Sequence, residues 1–185
     1  MIMDKKKHLL ITGKIGSGKS TLISKILLLQ NEPVYGFFTK KEKPDSFGNS
    51  YVYIHAPNQP RKYTKENCVG ICTIGGSVGF SNIFDQHAYL LNNIPEGSLV
   101  VMDELGTMES EAFQFCQAVF SVLDGNFHVI ASLKMKDTPF LNAIRNHPNV
   151  KLYSIDTENR DCLYEAILMD QEFHNLPEQM DTSSH

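Results

Sequence analysis

Gly13-Lys14-Ile15-Gly16-Ser17-Gly18-Lys19-Ser20 is a complete G-x-x-x-x-G-K-[ST] phosphate-binding loop, and its flanks decide the fold. The preceding His8-Leu9-Leu10-Ile11-Thr12 is a short apolar run suited to a buried parallel strand. Residues 21–29 put apolar side chains at 22, 23, 26 and 29, the spacing of one helix face. Strand, glycine loop and helix in that order are what the motif requires. Gly13, Gly16 and Gly18 let the backbone curl so that successive N–H groups converge on phosphate oxygens. The helix N-terminus adds partial positive charge. Lys19 is expected on the β and γ phosphates, and the Ser20 hydroxyl on Mg²⁺. With Thr21 as the next helical residue, this segment is expected to hold the nucleotide's phosphates.

Working outward, strands alternate with helices. Residues 34–39 and 50–56 read as strands joined through the turn-rich stretch 40–49, an antiparallel hairpin at one edge. Residues 57–80, with two prolines and four glycines, give no clear pattern. Ser81 is expected to cap a helix running to about 92. Strands follow at 98–102, 127–132 and 150–155, and helices at 109–123, 138–146 and 159–173, with a polar tail from 174. The alternation implies an α/β fold: a three-layer α/β/α sandwich of the P-loop NTPase type in a single domain, its sheet mostly parallel.

The bulk properties are ordinary for a soluble globular protein. The chain has 185 residues, 42% hydrophobic and 21% charged, which suits one globular core. A net charge of −4 argues against nucleic acid, whose phosphates demand clustered Lys and Arg. The short run Lys5-Lys6-Lys7 abuts the first strand and reads as a solvated entry. No apolar run reaches transmembrane length and no signal-peptide core opens the chain, so a cytoplasmic protein is expected. It is expected to act as a monomer or weak oligomer, with a protein partner left open. Cys68, Cys72, Cys116 and Cys162 complete no zinc pattern, and Cys116 and Cys162 are expected to pack as small buried hydrophobes.

The second half of a reaction centre is Leu99-Val100-Val101-Met102-Asp103-Glu104-Leu105-Gly106. An apolar strand ending in an acid delivers a carboxylate to the C-terminal edge of the sheet, where open α/β folds bind ligands. Asp103 is the expected second Mg²⁺ ligand, and Glu104 the group that orients or deprotonates the attacking water. The chain has only three arginines: Arg61, Arg145 and Arg160. Arg160 opens the last helix, where it could reach the phosphates as a finger in cis or simply pair with Asp161.

Taken together, the loop, Gly36-Phe37-Phe38-Thr39, the run Asp103-Glu104-Leu105-Gly106-Thr107-Met108-Glu109, and Glu158-Asn159-Arg160-Asp161 resemble the THEP1 family of nucleoside-triphosphatases. That family is similar in fold to AAA+/RecA-type ATPases, and the resemblance spans residues 9–168. It implies slow hydrolysis of ATP, GTP and other nucleoside triphosphates, with little preference among bases. Its nucleotide-binding segments map onto 13–20 and 99–106. Lys40, Lys41 and Lys43 stand where the family has acids and an arginine, and Ser110 stands where an aliphatic residue is usual. Lysine keeps the charge but loses the planar fork. Residues 75–83 barely match the family's middle strand.

Two rival functions use the same loop. A small-molecule or nucleotide kinase commonly closes an arginine-rich lid, for which three scattered arginines are poor material. A nucleotide-dependent switch or assembly factor with slow turnover is the other. Its GTPase form needs a guanine-reading Asn-Lys-x-Asp, which Lys134-Met135-Lys136-Asp137 misses.

Overall fold

The computed structural model describes residues 7–170. The start of the lysine run, the expected helical turn at 171–173 and the tail from 174 lie outside them. Eight strands form one sheet: β1 (His8–Thr12), β2 (Val34–Lys41), β3 (Ser50–His55), β4 (Cys68–Thr73), β5 (Gly76–Gly79), β6 (Leu99–Leu105), β7 (His128–Leu133) and β8 (Val150–Ser154). Their order is β5-β4-β3-β2-β6-β7-β1-β8. The five strands from β2 to β8 are parallel, and β3, β4 and β5 continue the sheet antiparallel.

Alternation along the strands builds two cores, one on each face of the sheet. Leu9 and Ile11 of β1, with Leu99 and Val101 of β6, pack against α1 (Lys19–Leu27) and α5 (Arg160–Leu168). Leu10, Val100 and Met102 face α2 (Ser81–Gln86), α3 (Phe113–Asp124) and α4 (Pro139–Arg145). Each buried Leu, Val or Ile side chain contributes roughly 1.5–3 kcal/mol, so these two layers dominate the stability.

The structure corrects several sequence-based boundaries. α1 begins at Lys19, not 21, and Leu29 is 41% exposed instead of lining the buried face. Ser81 is the first residue of α2 rather than its cap; the helix breaks at His87 and finishes as a 3-10 turn at Ala88–Leu91. α3 starts at Phe113, because residues 109–112 close a turn in which the Ala112 N–H donates to the Glu109 carbonyl. The unreadable stretch 57–80 contains β4 and β5, so the antiparallel extension is three strands wide, not a hairpin. All four cysteines are free thiols, but Cys162 is exposed: α5 buries Leu163 and Ile167 and turns position 162 to solvent.

Candidate active site

The phosphate loop links β1 to α1. Gly18 caps α1 with φ 101°, a left-handed conformation that a side chain would strain. Lys19 and Ser20 are therefore the first two helical residues. The Lys19 side chain folds back over the loop, where Nζ donates to the carbonyls of Gly13 (2.9 Å) and Lys14 (3.1 Å). It is 8% exposed and, among the described residues, pairs with no carboxylate. A nearly buried ammonium answered only by carbonyls suits an anionic ligand. Ser17 and Gly13 are buried in the loop, while Lys14, Ile15, Gly16 and Thr21 stand exposed.

β7 lies between the loop strand β1 and the acid strand β6, so both motifs end at the same C-terminal edge. β6 runs three residues beyond the expected 98–102. From Met102 to Leu105 it takes three steps while β7 takes two, from Ala131 to Leu133, an extra residue characteristic of a bulge. The parity confirms it: Leu105 joins the same core layer as Val100 and Met102. Asp103 and Glu104 sit in the bulge and serve different neighbours. Asp103 Oδ1 accepts from the Ser20 hydroxyl at 3.2 Å and, more closely, from the Ser132 hydroxyl of β7. It is 6% exposed. Glu104 Oε2 lies 3.5 Å from Lys134 Nζ, with both side chains about a third exposed. Thr39 at the end of β2 bridges the two acids' shared peptide: its hydroxyl donates to the Asp103 carbonyl (3.3 Å) and accepts from the Glu104 N–H (3.2 Å). β2 comes close enough because Gly36, at φ 97°, has no Cβ to meet the Val101 carbonyl, which would stand 2.0 Å away.

These residues surround a cleft of about 150 Å³, where Ser20, Asp103 and Glu104 meet Lys41, Lys134 and Glu109, with Phe84 and Met108 on the apolar side. Glu109 is buried, and its carboxylate accepts from the Gly106 N–H, which fixes the turn that follows the bulge. Burial pushes its pKa up to about 7, against the lowering effect of that hydrogen bond.

Arg160 pairs with Asp161 and lies beside the phosphate loop. Its Cγ and Cδ lie over Gly18, 3.7 and 3.3 Å from where a Cβ there would stand, and its Nε bonds Asp161 at 3.2 Å. The turn that brings it there is built by Asp156, which accepts from the N–H groups of Glu158 and Asn159. The guanidinium end is exposed beside the loop.

The structure thus brings Ser20, Asp103 and Glu104 to one cleft, with Lys19 folded over the adjoining loop and Arg160 beside Gly18. Among the segment residues, Leu99, Val100, Val101, Met102 and Leu105 are core, and Asp103, Glu104 and Gly106 line the cleft. Sequence reasoning missed Ser132, Lys134 and the part played by Glu109. Ser132 lies near the end of the parallel strand beside the acid strand and Lys134 just past it, so inspecting the end of each strand at this edge would have found them. A metal ion fits the donor set: a serine hydroxyl and a carboxylate 3.2 Å apart are hard oxygen ligands.

Comparison with known proteins agrees with this geometry. A family model described as NTPase matches residues 8–168. Nucleoside-triphosphatase THEP1 of Thermotoga petrophila is 28% identical over 95% of this chain and 98% of its own. A cancer-related nucleoside-triphosphatase homolog of Bos taurus is 31% identical over 88% and 95%. The crystal structure of THEP1 from Aquifex aeolicus superposes with a TM-score of 0.62 at 24% identity, covering 86% of this chain and 96% of that one, which supports the shared fold. With the match running through the loop, the acid strand and the Arg160 turn, the chain belongs to the NTPase family.

Proposed function

We propose that the chain hydrolyses nucleoside triphosphates to diphosphate and phosphate, with Mg²⁺ and with little preference among bases. The observation that carries this reading is the pairing of the Ser20 hydroxyl with the Asp103 carboxylate at 3.2 Å, with Glu104 next in the chain and facing the same cleft. The loop amides and Lys19 bind the phosphates from one side. Ser20 and Asp103 would hold Mg²⁺, which when bound neutralises charge on the β and γ oxygens. Glu104 orients a water against the γ phosphorus and takes its proton; the water oxygen bonds phosphorus as the bond to the β-phosphate oxygen breaks. Arg160, beside Gly18, would carry charge on the loop side. Lys19, Ser20, Asp103, Glu104 and Arg160 would all serve the triphosphate and none is assigned to a base, in keeping with low base preference. No helix among the described residues is long and apolar enough to cross a membrane.

The test is phosphate release with no acceptor present, over ATP, GTP, CTP and UTP, with Mg²⁺ and with chelator. Turnover in the absence of an acceptor separates hydrolysis from a kinase. Lys19→Ala should lose nucleotide binding, and Glu104→Gln should keep binding and lose turnover by at least about 10²-fold. Wild-type turnover in Glu104→Gln would remove Glu104 from the mechanism.

A further inference from the structure

Resting on that reading, we propose that Lys134 is a further catalytic residue: the cation that meets the γ-phosphate on the side opposite Lys19. Three arginines are available to this chain, and none is built into the Asp103–Glu104 side of the cleft. Arg160 lies over the loop, and Arg145 is spent elsewhere, as a clamp. Two carboxylates, Asp103 and Glu104, face a substrate whose γ-phosphate is itself anionic, so an unpaired Glu104 would repel it. Lys134 removes that conflict from within the same cleft.

Four observations hold it there. Lys134 is the first residue beyond β7, the strand between the two motif strands. Its N–H donates to the Leu105 carbonyl at 2.9 Å, tying it to the residue after Glu104. Its carbonyl accepts from Arg145 Nη2 at 3.3 Å, and the same nitrogen donates to the Lys136 carbonyl at 3.2 Å, so the backbone is clamped from both sides. The side chain then passes directly over Gly106: a Cβ there would stand 2.9 Å from its Cδ and 3.2 Å from Nζ. The bare glycine is the track that delivers the ammonium to Glu104, 3.5 Å away. A cation held by a rigid backbone needs little rearrangement when charge develops on the transferring phosphoryl group.

In the free protein the ammonium rests on Glu104. With a triphosphate bound it contacts a γ-phosphate oxygen while Glu104 holds the water. The bonds are those of hydrolysis: oxygen to phosphorus forms, phosphorus to the β oxygen breaks, and the water proton goes to Glu104.

The experiment uses the full chain with Lys134→Met and Lys134→Arg. It measures kcat and KM for phosphate release, affinity for a non-hydrolysable ATP analogue, and affinity for ADP with aluminium fluoride, a mimic of the transition state. Lys134→Met should lower kcat about ten- to a hundredfold, less than the roughly 10²–10³ of a fully dry donor because the side chain is partly solvated. Affinity for ADP with aluminium fluoride should fall in parallel, affinity for the ATP analogue should change by less than about threefold, and Lys134→Arg should recover part of the loss. A residue that merely held Glu104 in place would not weaken the fluoride complex selectively. The proposal is overturned if Lys134→Met turns over within about twofold of wild type, or if both affinities fall equally. Should Lys134→Met not fold, Lys134→Gln is read by the same criteria. Wild type that releases no phosphate with Mg²⁺ would instead sink the hydrolase reading beneath it.

Discussion

Glu109→Gln isolates one buried carboxyl and gives its pH signature a definite sign. In the folded chain burial raises Glu109 from 4.5 to about 7. A displacement of that size corresponds to roughly 3 kcal/mol between its two protonation states. Between pH 4.5 and 7 the folded state holds more protons than the unfolded one, so stability is full below 4.5 and falls as pH rises through 7. Glutamine keeps an acceptor oxygen for the Gly106 N–H but carries no proton to lose. Relative to wild type, Glu109→Gln should therefore gain about 3 kcal/mol between pH 4.5 and pH 8. The assay is urea unfolding of both proteins at closely spaced pH values, read as the difference in unfolding free energy. Taking the difference matters, because His8 pulls the other way in an overlapping window. Its ring is buried, with Nε2 2.8 Å from the Leu123 carbonyl, and burial lowers its pKa from 6.5 to about 4. Both proteins carry His8, so its slope cancels. Curves that stay parallel within about 0.5 kcal/mol from pH 4.5 to 8 would refute the burial argument for Glu109.

Three further outcomes follow from the geometry. His8→Leu should remove a stability loss of up to roughly 3 kcal/mol that wild type suffers as pH falls from 6.5 toward 4, measured in the same urea series. Gly36→Ala should destabilise by about 2–4 kcal/mol, since its φ of 97° and the Val101 carbonyl 2.0 Å from the new Cβ oblige β2 to shift; a melting curve reads this directly. Arg160→Ala should lower kcat about tenfold or more with little change in stability, and Arg160→Lys should fall between, because lysine lacks the planar fork; unchanged phosphate release would leave Arg160 as the partner of Asp161 alone.

Much of the fold was readable because the parallel strands are continuous apolar runs and the loop declares its own flanks. β1, at His8–Thr12, lies where the apolar run put it, and α4 falls within the expected 138–146, its cap being Thr138 and its first residue Pro139. The region 57–80 failed for a physical reason. Met108 presses on β4 and β5 so closely that a Cβ at Gly79 would stand 1.9 Å from its carbonyl, and one at Gly70 2.8 Å from its sulfur. Packing demands glycine there, and glycine erases the strand signal. The bulge at Asp103–Glu104 was hidden too, because an apolar run ending in two acids says nothing about register against the neighbouring strand. Lys134 was visible only as part of a poor match to a guanine-reading motif. Its importance comes from β7 lying beside β6, a neighbour relation that no linear pattern carries.

That bulge gives two adjacent carboxylates different surroundings. Asp103 is almost dry and held by two hydroxyls from separate elements, Ser20 and Ser132, so its oxygen has a fixed position suited to a metal ligand. Glu104 is about a third exposed and answers to an ammonium exposed to the same degree, so it can meet water and exchange its partner as phosphate arrives. Environment, not chemical identity, separates the roles proposed for them. Thr39 keeps them separate by gripping both sides of the peptide that joins them, and Gly36 permits the approach that lets Thr39 do so. The Gly36-Phe37-Phe38-Thr39 run on β2 therefore sets the relative placement of the two acids on which the proposed hydrolysis depends.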